Sequence, residues 1–161
     1  MIAAGILILI LGIVVYIISG ADQNADTQLV PLKLADLPLS HLITGQEALV
    51  EINQLHGKAF PLTAGAVGRY GNEDQAVIWV AEAIDEAAAK EILLAMRDRI
   101  AEGKSPFTPT SELQNGEYNI YMLDGIGQKH FYFRSRNLIV WTAADALLYE
   151  RVVAQVLDFY P

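Results

Sequence analysis

The side chains able to do chemistry in this chain are few: three histidines, His41, His56 and His130, no cysteine, and scattered serines and carboxylates. A zinc centre would need those imidazoles joined by carboxylates at ligand spacing, and no HxxxH or ExxH pattern falls on a helical stretch. Ser111 and Ser135 stand outside any GxSxG turn and away from a convincing histidine partner, which leaves acyl-transfer hydrolysis without support. The run Asp124-Gly125-Ile126-Gly127-Gln128 carries the glycines of a phosphate loop, yet it joins two strand-like segments and opens no helix, so the amide dipoles that hold phosphate are missing. Asp145 with Glu150, and Glu82 with Asp85, belong to helix starts and solvated faces. Strand alternation puts His130, Tyr132 and Arg134 on one face, either as a polar contact row for a ligand or, more simply, as the solvent face of a strand. No catalytic, cofactor or metal residue is assigned, no cofactor is expected, and the chain is read as not an enzyme.

The elements that carry these residues follow from periodicity. Thr44-Gly45-Gln46-Glu47 fits a capping box, and Ala48, Leu49, Ile52 and Leu55 follow at helical spacing, predicting a helix over 44–56. Segments 64–70 and 75–83 read as a hairpin, and a helix over 85–102 ends at Gly103. Residues 104–116, with Pro106 and Pro109, read as loop. Strands are predicted over 117–123, 128–134 and 138–143, and a last helix over 145–160 with Leu148, Val152, Val156 and Phe159 on one stripe. Trp79 and Trp141 each sit near the end of a hairpin's second strand, just before a helix, with Arg69 and Arg134 at comparable places in the strands before them. That internal similarity suggests two β-β-α units, with each Trp buried beneath the helix that follows it.

Residues 1–20 hold no charged side chain, and the first charged side chain is that of Asp22. A helix of ~20 apolar residues rises ~30 Å, the thickness of a bilayer's hydrocarbon core. A cleaved signal is less consistent, because no Lys or Arg precedes the run and it exceeds the usual apolar core of a signal peptide. The segment resembles a type IV pilin anchor in length and position, but such proteins carry a basic leader and a glutamate early in the apolar stretch, and neither is present. Gly5, Gly12 and Ser19 recur every seven residues and form a candidate helix-packing seam.

The expected fold class is α+β: a single N-terminal transmembrane helix followed by one soluble domain of antiparallel sheet with helices packed on it, in ferredoxin-like layering. The expected division is an anchor over 1–20, an extended proline-containing tether over 21–43 and the domain over 44–161. The tether's Leu29, Val30, Leu32 and Leu34 are too apolar for a free linker, so it should lie against its own domain or a neighbouring subunit. The net charge of −8 falls wholly after the anchor, which argues against nucleic acid and leaves room for a basic protein partner.

These features together indicate a non-catalytic, single-pass accessory subunit of a membrane complex, with an acidic extracytoplasmic domain that makes protein contacts. Its partners would be other membrane subunits, met through anchor and tether, and the lipid bilayer. A stand-alone extracytoplasmic ligand-binding or sensing module is the alternative; a pilin-like filament subunit or an enzyme ranks lower. If residues 1–20 span the bilayer, the chain stays with membranes through high-salt and alkaline washes and is released when that segment is deleted. Isolation of a mature form beginning at Asp22 would contradict this.

Overall fold

In the computed structural model, residues 29–56, 59–116 and 118–161 are described. Their elements run β1 (Lys33–Leu34), β2 (Leu37–Thr44), α1 (Gly45–His56), β3 (Leu62–Tyr70), β4 (Ala76–Ala83), α2 (Glu86–Ala101), β5 (Phe107–Asn115), β6 (Tyr118–Gly125), β7 (Gln128–Ser135), β8 (Leu138–Ala144) and α3 (Tyr149–Phe159). All eight strands form one antiparallel sheet in the order β1-β2-β3-β4-β8-β7-β6-β5. Two meanders therefore meet at their last strands, β4 and β8, in an unbroken register from Ala76 opposite Ala144 to Glu82 opposite Leu138.

Alternation along β4 defines the faces. Val77, Trp79 and Ala81 point to the front, where Ala48 and Ile52 of α1 cover the β3 side and Ala89, Ile92, Leu93, Met96 and Ile100 of α2 cover the β6–β8 side. Ile78 and Val80 point to the back, where Tyr149, Val152 and Val156 of α3 close over Phe131, Phe133 and Val140. Central strands are thus buried on both sides, and their near-continuous apolar runs follow from that double burial.

This arrangement overturns the ferredoxin-like expectation, in which one sheet face carries the helices. The strands β7 and β8 are apolar on both faces, with Phe131, Phe133 and Val140 behind and Tyr132, Ile139 and Trp141 in front, so each face needs its own cover. Nor does a β-β-α unit repeat. The strand register is locally symmetric about Trp79 opposite Trp141, flanked by Val67 and Tyr132, with Arg69 and Arg134 two residues further on. The helices break that symmetry: α2 follows β4 onto the front and α3 follows β8 onto the back. Trp141 consequently lies beneath α2, not beneath the helix that follows it.

Three strands lie where none was expected. Residues 104–116 contain β5, a polar edge strand that accommodates Pro109 at a register shift between Pro109 and Ser111. The far end of the expected tether supplies β1 and β2. Val30 and Leu34 are buried on the back face, and the Tyr160 and Tyr70 hydroxyls donate to the carbonyls of Leu29 and Pro31 at 2.6 and 2.7 Å, so the folded domain begins well before residue 44. The last helix starts at Tyr149 because Asp145 is spent on a turn, accepting from Leu148 N–H through its carbonyl and from Gln128 through its carboxylate. Segment 1–20, with Gly5, Gly12 and Ser19, lies outside the described residues. Among the described residues, no helix is long and apolar enough to cross a membrane.

Trp141 is 4% exposed and stacks on Tyr132, whereas Trp79 is half-buried and donates its indole N–H to Glu51 Oε1 at 2.9 Å. Trp141→Ala should cost about 3–5 kcal/mol in urea unfolding and Trp79→Ala less. Equal or reversed costs would contradict this division of the core.

Candidate functional site

His130, Tyr132 and Arg134 do share one face of β7, but it is the front face beneath α2 and not a solvent face. His130 is buried at 4% exposure. Trp141 Nε1–H donates to its Nδ1 at 3.2 Å, which leaves the ring proton on Nε2, and Nε2 donates to the Gly125 carbonyl at 2.9 Å. Both nitrogens of the neutral imidazole are therefore used inside the fold. Burial holds the His130 pKa below its ordinary value of 6.5, against the weaker upward pull of the Gly125 carbonyl and the Asp124 charge.

Tyr132 is sandwiched between Tyr121, 4.9 Å away at 19°, and Trp141, 5.0 Å away at 10°. Burial pushes its phenol pKa upward, so the ring carries no charge at neutral pH. Arg134 leaves the row: its guanidinium donates to the Arg136 carbonyl at 2.7 Å and reaches Glu86 of α2 at 3.4 Å. The matching Arg69 is held by Glu51 of α1 and by Asp74, each at 2.8 Å. Each arginine therefore ties a strand to a front-face helix.

The other sequence candidates separate in space. Asp124 pairs with Lys129 at 3.3 Å, away from Arg134 and its partners. Ser111 donates to Met122 Sδ and Ser135 to the Pro161 carbonyl. Asp85 caps α2 by accepting from Ala88 N–H at 2.7 Å, while Glu82 accepts from Asn137. Gly125 pairs with Gln128, so the glycine-rich run is a two-residue hairpin turn through Ile126 and Gly127, both at positive φ. Glu117 and the side chain of His56 lie outside the described residues. Among the described residues, no group of three or more His, Asp or Glu is placed to hold a metal.

What the sequence did not reveal is a cavity of about 530 Å³ at the front, between the C-terminal half of α2, the start of β5 and the segment after α1. Its apolar walls are Phe60, Met96, Ile100, Phe107 and Trp141. Phe107 packs at 4.9 Å against Trp141 and at 4.8 Å against His130, so the buried histidine backs the cavity's aromatic wall without lining it. Phe60 is set in place by its backbone N–H donating to Asn53 of α1 at 3.0 Å. The lining residues come from three distant parts of the chain and show no common spacing, so no local signal could have found them. A pocket of this volume and mixed lining suits a small molecule.

Comparison of the chain with protein-family models, with curated proteins and with solved structures finds no match.

The His130 geometry fixes a pH dependence. Below pH 6.5 the unfolded chain takes up a proton that the folded chain refuses until a lower pH. Stability therefore falls as the pH drops through that value and levels off only below the depressed folded value. His130→Gln keeps an acceptor for Trp141 and a donor for Gly125 but cannot titrate. The stability difference between wild type and variant should shrink as urea midpoints are measured from about pH 7.5 down to about pH 5. A difference independent of pH would contradict the buried neutral imidazole.

Proposed function

We propose that this chain is a non-catalytic, single-pass accessory subunit of a membrane complex, anchored by residues 1–20, with its acidic domain on the extracytoplasmic side. The observation that carries the reading is the open edge of β5. This strand ends the sheet, pairs only with β6, and is exposed at every described side chain except Phe107. Natural sheets blunt long edges with lysine, proline or bulges. Pro109 and the register shift beside it do so for the first half of β5, but Ser111-Glu112-Leu113-Gln114 carry neither lysine nor proline, and Leu113 is 48% exposed.

A strand from a neighbouring subunit is the occupant this edge fits, by adding to the sheet through main-chain hydrogen bonds. With Asn115 and Tyr118 the last register pair between β5 and β6, alternation directs the N–H and C=O groups of Glu112 and Gln114 outward. With Glu112 on the edge and a net charge of −8, a partner strand bearing basic residues is favoured. The Gly5, Gly12 and Ser19 seam would support the same association within the bilayer. A second reading, a ligand-binding or sensing module, is favoured by the cavity under α2.

Gln114→Pro removes one outward N–H and none of the bonds to β6, so it separates docking from folding. Purified from its own membranes in mild detergent, the wild-type chain should carry a defined partner, and Gln114→Pro should lose it with little change in thermal midpoint. Equal recovery of the partner with the variant would remove the edge from the account.

A further inference from the structure

We propose that the cavity between α2 and β5 binds a small aromatic monocarboxylate. This goes with the ligand-binding reading and is independent of strand docking at β5. The argument starts from the charges around the cavity, where Asp98, Arg99, Glu102 and Lys104 all contribute to the lining. Asp98 is bound by Arg97 at 2.7 Å, and Glu102 and Lys104 hold each other at 2.8 Å. Three of the four are thus neutralised in pairs. Arg99 is an exposed lining residue with no ion pair among the described residues, so it brings one uncompensated positive charge to the cavity.

Gln54 on the α1 side also lines the cavity, exposed and without a hydrogen bond among the described residues. A guanidinium presents parallel N–H donors matched to a carboxylate, and an amide N–H₂ can add a further donor to the same group. The remainder of the ligand is defined by the walls. Trp141 and Phe107, only 4% and 8% exposed, form a floor already fixed in the core that needs no side-chain ordering, and the half-buried Phe60 adds more accessible ring surface at the side. Met96 and Ile100 add polarisable and branched apolar surface on the helix side. One free positive charge above a preformed aromatic wall selects a flat apolar body with a single negative charge.

The surrounding acidity sharpens the selection. A net charge of −8 disfavours the approach of any anion, so retention depends on the local guanidinium, and a cation would have to displace Arg97 or Lys104 from its carboxylate.

The test is calorimetry on the full chain in lipid nanodiscs, with empty nanodiscs as the blank for partitioning. The probes are 2-naphthoate, neutral 2-naphthol and cationic 2-naphthylmethylamine. Saturable one-to-one binding of 2-naphthoate is expected, with the amine at least about tenfold weaker. Arg99→Gln should weaken 2-naphthoate about tenfold and leave 2-naphthol within about twofold, because only the charge-assisted contact is lost. Ala95→Phe, at an exposed lining position, should weaken naphthoate and naphthol alike by occupying the cavity without disturbing the core. Absence of saturable naphthoate binding, equal affinity for the amine, or undiminished binding in Ala95→Phe would each overturn the proposal. Partner recovery should be unaltered in both variants, so failure here and failure of the docking reading are told apart.

Discussion

A single line of rings across the sheet is the constraint on which the rest depends. Tyr121, Tyr132, Trp141 and Trp79 are successive register partners on β6, β7, β8 and β4, so one row passes through both meanders. The stacked pairs within it add about 0.5–1.5 kcal/mol each beyond area burial. Its larger role is in register, because a slip of one residue in any of these strands would turn a ring to the opposite face. The back face is already filled by Phe131, Phe133 and Val140 beneath α3, so such a slip has no space to go into.

Everything at the front is set against that row. Met96 and Ile100 of α2 pack with Tyr121, Tyr132 and Trp141, Phe107 closes on the Trp141 ring, and His130 is held by the Trp141 indole. One edge strand then serves two surfaces. Phe107, at the start of β5, walls the cavity, while residues 111–114 form the open edge. The cavity and the open edge therefore use separate stretches of the same strand.

Periodicity made the central elements legible and failed at the margins. The hairpin of β3 and β4, the strands β6 to β8 and the helices α1 to α3 follow from apolar patterns that burial explains directly. The strand β5 was hidden because an edge exposed on almost every side chain has no apolar alternation and tolerates Pro109. The prolines Pro31 and Pro38 likewise made β1 and β2 resemble a tether, although Val30 and Leu34 are core residues. Which face α3 covers is written in both sides of β7 and β8 together, and no local window holds that information. His130 looked like a surface residue because a polar side chain beside Lys129 suits a solvent face; its burial depends on the indole N–H of Trp141, eleven residues away. The cavity depended on α1, α2 and β5 meeting, which only the fold determines.

The most direct measurement is residue-resolved hydrogen–deuterium exchange on the full chain, once in its own membranes and once purified into nanodiscs. The account predicts that β4 and β8 exchange last in both preparations, since they join the meanders beneath both helix layers. It predicts that the amides of Glu112 and Gln114 exchange rapidly in the purified chain and slowly only in the native membrane, where a partner strand covers them. Rapid exchange at those two amides in both settings, or opening of β4 and β8 before the outer strands, would contradict it.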